Sequence, residues 1–485
     1  MKYKSTRGGV KDLGFVDAVL MGLASDKGLL VPERIPQVDA ATLEKWKGLS
    51  FASLAVEIIS LYIDEAEISR EELTKLTETA YGTFRSSHVT PVHPLGGDDV
   101  HLLELFHGPT YAFKDVALQF LGVLFELILS KRGGKLTIVG ATSGDTGSSA
   151  IAGVRGKAGV ECFVLYPENR TSKIQEAQMC AYADPNVHAV ALRGACFDDC
   201  QKIVKGLFAD RAFHAKHSLG AVNSINWARI VAQITYYFYA AFRVGGQPAF
   251  SVPTGNFGDV LAGWYARKMG CPCRGLVVAT NDNDILARFF ATGTYERPPV
   301  AVETLAPSMD ICVSSNFERF LFHQCDSDEA ACKELMDTFE ATGSFTAPPD
   351  VFRRCSAEMK AAKVDKPGIL ATIKKWHGKC GYVLDPHTAC GVGAYEQLKG
   401  DLGVGPVVCL ACAHHAKFPE SVKEAVGGAA YDALPDEKAL TDLLKVPHRK
   451  TVLDNTAEAV TAFVEKTLLE RAEANSPSKK KAKCG

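Results

Sequence analysis

No apolar run in this sequence approaches the roughly 20 residues that a membrane helix needs, so no spanning helix is expected. The opening Met1-Lys2-Tyr3-Lys4-Ser5-Thr6-Arg7-Gly8 has no apolar h-region. It also lacks the length of an Arg- and Ser-rich transit peptide, and a cytoplasmic location is expected. An excess of charge of one sign is missing too. Lys and Arg number 54 against 56 Asp and Glu, a net charge of -2 that draws the chain neither to nucleic acid nor to an acidic membrane. The 15 cysteines are odd in number and scattered singly, which excludes a disulfide framework and points to a reduced, intracellular setting. Neither G-x-G-x-x-G nor GK[ST] follows a strand-like run, which excludes a dinucleotide fingerprint and a P-loop. There is no internal repeat.

What is present is a soluble globular composition, 47% hydrophobic and 23% charged, in a chain of 485 residues that is too long for one core. Residues 1–90 form a mostly helical unit, with helical periodicity at 13–23 and 51–63 and a strand and turn at 28–32. Residues 91–430 are expected to be α/β, in two subdomains. Strand-like runs at 102–106, 136–139, 161–166, 188–192, 250–252 and 276–279 alternate with helical runs at 171–182, 197–209, 227–243 and 260–269. That alternation predicts parallel sheets covered on both faces by helices. The stretch 280–380 reads as less regular and largely helical, and 406–410 as one more buried strand. Residues 431–475 are expected to be a helical C-terminal segment, and the basic tail SPSKKKAKCG at 476–485 to be disordered.

Three loops at strand ends carry the chemistry. His107-Gly-Pro-Thr-Tyr-Ala-Phe-Lys114-Asp115 passes from a strand, through a Gly-Pro turn, into a helix whose apolar residues are Ala117, Phe120, Leu121, Leu124 and Ile128. A lysine opening a helix is ordinarily a surface lysine. Packed neighbours at such a junction can instead desolvate its amine, lower its pKa and make it a nucleophile toward an aldehyde. Thr142-Ser143-Gly144-Asp145-Thr146-Gly147 offers hydroxyls and backbone N–H groups around a tight turn, suited to a carboxylate. Gly255-Asn256-Phe257-Gly258-Asp259 precedes a helix, and its glycines and the helix start suit a phosphate. Either loop alone could be a helix-capping turn. Together with Lys114 they imply pyridoxal phosphate (PLP) acting on an amino acid, with the cofactor phosphate at the Gly loop and its aldehyde joined to Lys114.

FHGPTYAFKD, ATSGDTG, NSINWARI, PTGNFGD, MDICVSSNFER and DPHTACGVGAY stand in this order, and with them the chain from Ser5 to Phe418 resembles the threonine synthase family. The resemblance is to its longer, fungal and bacterial branch, among the fold type II PLP enzymes related to the tryptophan synthase β-subunit. It implies conversion of O-phospho-L-homoserine and water to L-threonine and phosphate, by a lyase of threonine biosynthesis. The same elimination without directed water addition would make a phospho-lyase that releases 2-oxobutanoate, ammonia and phosphate. A PLP-binding scaffold without turnover is the third reading.

The resemblance makes Lys114 the Schiff-base lysine and puts Gly255, Asn256, Phe257, Gly258 and Asp259 at the cofactor phosphate. It puts Ser143, Gly144, Asp145 and Thr146 at the substrate carboxylate, with Asp145 bordering the cofactor ring. Asn223, Ser224, Asn226 and Arg229 match the substrate-phosphate segment, where an arginine fork suits a second anion. It implies no metal and no macromolecular partner, and leaves monomer and homodimer open. One segment departs from the family: Cys412-Ala-His414-His415-Ala-Lys417-Phe418 has Cys412 in place of a threonine that faces the pyridine nitrogen, and His415 in place of a proline. A thiol is the weaker hydrogen-bond partner. Either the Cys412 sulfur faces that nitrogen, or it packs against the loop and another group does. Cys409 with Cys412, Cys271 with Cys273, and Cys196 with Cys200 read as small buried hydrophobes, and His414 and His415 as loop packing.

Overall fold

The computed structural model describes residues 1–97 and 99–474, so the tail at 476–485 lies outside the described residues. Strands Tyr3–Ser5 (β1) and Leu30–Pro32 (β2) pair antiparallel, and the helices Phe15–Met21, Ala40–Trp46, Phe51–Ser60 and Arg70–Tyr81 belong to the same N-terminal stretch. The starts of the last three are set by side chains. Asp39 accepts from the Thr42 N–H and Ser50 from that of Ser53, while Ser69 and Glu72 form a reciprocal capping box. Phe51, Leu54, Ala55 and Ile58 are buried on one face of Phe51–Ser60, which packs against the long helix Trp227–Val244.

Arg7 ties this unit to the body. Its Nε and Nη2 grip both oxygens of Glu318 at 3.0 and 2.9 Å, its Nη1 reaches Glu340, and Thr6 donates to Glu318 at 2.6 Å. Both ends of the Arg7–Glu318 pair are buried. Arg7→Met leaves the Glu318 carboxylate buried and uncompensated, and is expected to cost on the order of 3–5 kcal/mol. Urea unfolding checks this. A midpoint equal to that of the wild type would contradict it.

Two larger sheets follow. Val92–Pro94 (β3) and Val100–Glu104 (β4) pair antiparallel at one edge of the first. Leu136–Ala141 (β5), Val160–Pro167 (β6), Val187–Leu192 (β7) and Leu219–Gly220 (β8) belong to the second. Ala249–Pro253 (β9) and Gly275–Thr280 (β10) return to the first, and the short pair Thr294–Glu296 (β11) and Ser344–Thr346 (β12) stands apart. Met359–Lys363 (β13) and Val407–Ala411 (β14) complete the order β13-β10-β9-β14-β4-β3, while Lys450–Leu453 (β15) gives β15-β7-β6-β5-β8. Every residue of β9 and β14 is buried, as central parallel strands require.

The α/β expectation with parallel sheets holds, with three corrections. β3 makes one edge antiparallel. The stretch 280–380 contributes the edge strand β13, whose sequence Met-Lys-Ala-Ala-Lys carries two exposed lysines that suit an edge and hide the strand from a hydrophobicity reading. The segment 431–475 is not wholly helical, because β15 pairs in parallel with β7 before the final helix Ala457–Ala474. At four residues, β15 is too short to show a period.

Helices Lys114–Arg132 and Asp145–Val154 touch backbone to backbone. A Cβ on Gly122 would stand 2.0 Å from the Gly153 carbonyl oxygen, and one on Gly153 would stand 2.4 Å from that of Leu118. This approach brings the two helix starts, and with them Lys114 and Asp145, to one place. No helix among the described residues is long and apolar enough to cross a membrane.

Candidate active site

A cavity opens at the carboxyl ends of β9 and β14, where ligands of open parallel sheets bind. Lys114 reaches it from the first turn of its helix. Its side chain is buried, with Nζ 3.1 Å from the Ser308 hydroxyl and 3.7 Å from Asp145 Oδ2. Burial pushes the Lys114 pKa down; Asp145 pulls it up, and Lys417 and Arg229 push it down further. Asp145 is met by Lys417 Nζ at 2.7 Å, by Gln175 Nε2 at 2.9 Å and by the Ser308 hydroxyl at 3.1 Å. Burial alone would raise its pKa, but Lys417, Lys114 and His387 outweigh that and hold the carboxyl well below the usual range.

The Gly255–Asp259 loop forms the opposite wall. A Cβ on Gly255 would stand 3.0 Å from Met309 Cα, so the loop has no room for a larger residue there. Phe257 has φ +61, a left-handed conformation that a bulky residue rarely adopts. Its ring packs on Phe317 and Phe320 with centroids 5.3 and 5.5 Å away, which holds the strained turn. Behind it, the helix Gly258–Met269 turns its free N–H groups toward the cavity. Asp259 Oδ1 accepts from the hydroxyls of Tyr236 and Tyr237 at 2.6 and 2.8 Å, while Oδ2 is buried without a partner among the described residues. Burial lifts its pKa to about 6, with the two tyrosines pulling the other way.

A raised carboxyl pKa stabilises the fold fully below its unfolded value, near 3.8, and that contribution is lost as pH rises through about 6. Asp259→Asn keeps both tyrosine bonds and avoids the buried charge. It is therefore expected to raise stability at pH 7 by on the order of 1–3 kcal/mol, with the gain shrinking toward pH 4. Thermal unfolding at both pH values reads this out, and a gain larger at pH 4 than at pH 7 would refute it.

Arg229 is buried in the helix Trp227–Val244. Its Nη1 donates to the Val222 carbonyl at 2.9 Å, and its Nε has no partner among the described residues. Burial brings its pKa down to about 10, so it remains a cation. Ser224 lines the same wall, its hydroxyl 3.0 Å from that of Ser315.

The structure brings together Lys114, Asp145, Thr146, Ser224, Arg229, Cys412 and all five residues Gly255–Asp259 on this cavity. Ser143, Gly144, Asn223 and Asn226 are not on its wall. Gln175 closes on Gly144, and Asn223 is exposed. Asn226 is a buried helix cap that accepts from the Ala228 N–H and donates to the carbonyls of Val19 and Ala221. The Cys412 sulfur lies 3.8 Å from the Leu410 carbonyl, and its N–H donates to Thr388 Oγ1 at 3.1 Å. Burial, with Asp385 and Asp259 nearby, pushes the thiol pKa well up, so it stays protonated. The described cysteines are all free, and Cys200, Cys271 and Cys409 are buried as small apolar residues.

Sequence reasoning missed Ser308, His387 and Lys417. His387 Nε2 accepts the Ser308 N–H at 3.1 Å, which leaves the ring proton on Nδ1, 2.8 Å from Asp385. His387 and Lys417 do lie inside the strings DPHTACGVGAY and CAHHAKF, whereas Ser308 carries no local signal.

A buried amine, a glycine loop too close for a Cβ and a helix start on one cavity fit PLP. Residues 86–413 match the model of the pyridoxal-phosphate-dependent enzymes, and the protein is of that class, with PLP as its cofactor. Residues 2–81 match the model of the threonine synthase N terminus, and 388–464 that of the threonine synthase C-terminal part. The chain is similar to the threonine synthase of Schizosaccharomyces pombe, 47% identical over 463 residues that cover 88% of this chain and 89% of that one. Among solved structures it is similar to PLP-bound threonine synthase from Brucella melitensis, with TM-score 0.91 and 42% identity over 96% of this chain and 99% of that one. It is likewise similar to threonine synthase from yeast, with TM-score 0.90 and 42% identity over 97% and 99%. The chain belongs to the threonine synthase family.

Proposed function

We propose that this protein converts O-phospho-L-homoserine and water to L-threonine and inorganic phosphate, in the cytoplasm, as a monomer or homodimer. The observation that carries the proposal is a second anion site. Arg229, a buried cation with a partnerless Nε, shares the cavity with the glycine loop, so one wall offers places for two phosphates. Region 91–430 would hold the cofactor, with 1–90 and 431–475 as separate units packed around it.

In this reading Gly255, Asn256, Phe257 and Gly258 hold the cofactor phosphate against the helix start, and Asp259 braces the loop through Tyr236 and Tyr237. Thr146 and the start of the helix Asp145–Val154 take the substrate carboxylate. Arg229 and Ser224 take the substrate phosphate, and Cys412 stands at the cofactor ring. When bound, PLP supplies the sink for negative charge at the substrate Cα. Lys114 would be the base that moves protons at the substrate Cα, Cβ and Cγ. Its desolvation suits that work, because a lowered pKa leaves a fraction of the amine unprotonated.

The test is a product assay of the purified protein with O-phospho-L-homoserine. Threonine and phosphate in equal amounts support the proposal. 2-Oxobutanoate and ammonia in place of threonine would make the protein a phospho-lyase. Bound cofactor with no product would leave a scaffold.

A further inference from the structure

At the edge of the cavity two buried lysines, of which only Lys114 lines it, share one carboxylate, and they share it unequally. Lys417, fully buried, lies 2.7 Å from Asp145 Oδ1 and donates to the Thr110 carbonyl at 2.8 Å. Lys114 lies 3.7 Å from Asp145 Oδ2, with the Ser308 hydroxyl 3.1 Å from each. The tight counter-ion of Asp145 is therefore Lys417.

We infer that Lys417 is a positioning residue: by occupying Asp145 it denies Lys114 a close counter-ion, so that Lys114 is the lysine that gives up its proton. The inference rests on the proposed role of Lys114. Two lysines, Lys114 and Lys417, flank the low-pKa carboxylate of Asp145, and Arg229 acts on Lys114 as a further positive charge. The other groups that face the pair are Cys412, a protonated thiol, and His387, whose Nε2 is taken by the Ser308 N–H. Asp115 also lies near Lys417, but burial pushes its pKa up and its oxygens are bonded to Thr110 and Ser149, so it does not replace Asp145.

Two substitutions should act in opposite directions. Lys417→Met frees Asp145 to close on Lys114, which then holds its proton to higher pH. Asp145→Asn leaves two ammonium groups facing each other without an anion, and Lys114 loses its proton at lower pH. A merely structural role would slow both variants without moving their pH dependence apart.

The measurement is the rate at which the cofactor-free full-length protein develops its visible absorbance after PLP is added, followed across pH. The neutral Lys114 amine adds its lone pair to the aldehyde carbon, and the aldehyde oxygen leaves with both amine protons as water. Titration of PLP itself is common to all variants. The midpoint is expected to rise by on the order of 1–3 pH units in Lys417→Met, to fall in Asp145→Asn, and to stay at the wild-type value in Lys417→Arg.

A Lys417→Met midpoint that is unchanged, or that moves in the same direction as Asp145→Asn, overturns the inference. So does a folded Lys417→Arg that shifts as Lys417→Met does. If Lys417→Met does not fold, a downward shift in Asp145→Asn with wild-type behaviour in Lys417→Arg supports the inference, and no downward shift overturns it. Lys114→Ala is the control. Absorbance that still develops there overturns the assignment of Lys114 itself, and this inference with it.

Discussion

Lys114→Ala is expected to lose the visible absorbance of lysine-bound PLP and to lower turnover by at least about 10²–10⁴-fold, the range supplied by a positioned acid–base group. A methyl group can neither join the aldehyde nor carry a proton. No second amine stands ready to replace it, since Lys417 is bound to Asp145 and to the Thr110 carbonyl and does not line the cavity. The glycine loop and the start of the helix Gly258–Met269 are untouched by the change. The variant should therefore still take up PLP, now displaceable by dialysis and without the lysine-bound spectrum. Absorption spectra before and after dialysis, with kcat, check the prediction. Retention of both the spectrum and wild-type turnover would rule the lysine out.

Arg229→Met should act in opposite directions on binding and on stability. In the proposed reading the guanidinium contacts the substrate phosphate. Losing a charge-assisted contact of about 2–3 kcal/mol raises the Michaelis constant roughly 30- to 150-fold. The same guanidinium is buried and has no carboxylate partner among the ion pairs of the described residues. An uncompensated buried cation destabilises the folded protein in the absence of its ligand, so methionine should raise stability by at least about 1 kcal/mol. PLP content is expected to be unchanged. The two anion sites would have to be exchanged if PLP were lost while the Michaelis constant stayed put.

The α/β core could be read from the sequence because its strands are short, mostly apolar runs set between polar turns and helical runs. β9 and β14, buried along their whole length, are of this kind. β13 and β15 were hidden because their register is fixed by neighbours far away in sequence, Leu276–Thr280 for one and Ala189–Leu192 for the other. The same division runs through the site. Lys114 and the Gly255–Asp259 loop announce themselves through local strand–turn–helix chemistry. Ser308 matters only because folding sets its hydroxyl between Lys114 and Asp145, a placement no local pattern encodes. Asn226 shows the reverse case: it sits in a family-like string, yet its amide is wholly engaged in holding a helix start.

The late arrival of β15 bears on how the chain is made. On a ribosome, β5, β6 and β7 emerge while more than half of the polypeptide is still unsynthesised, and the outer edge of β7 has no neighbour until Lys450–Leu453 appears. An uncovered strand edge invites pairing with other nascent chains. Production of this protein should therefore depend on cellular factors that shield that edge during elongation. Chains cut shortly before residue 450 should precipitate even though every group lining the cavity is still present.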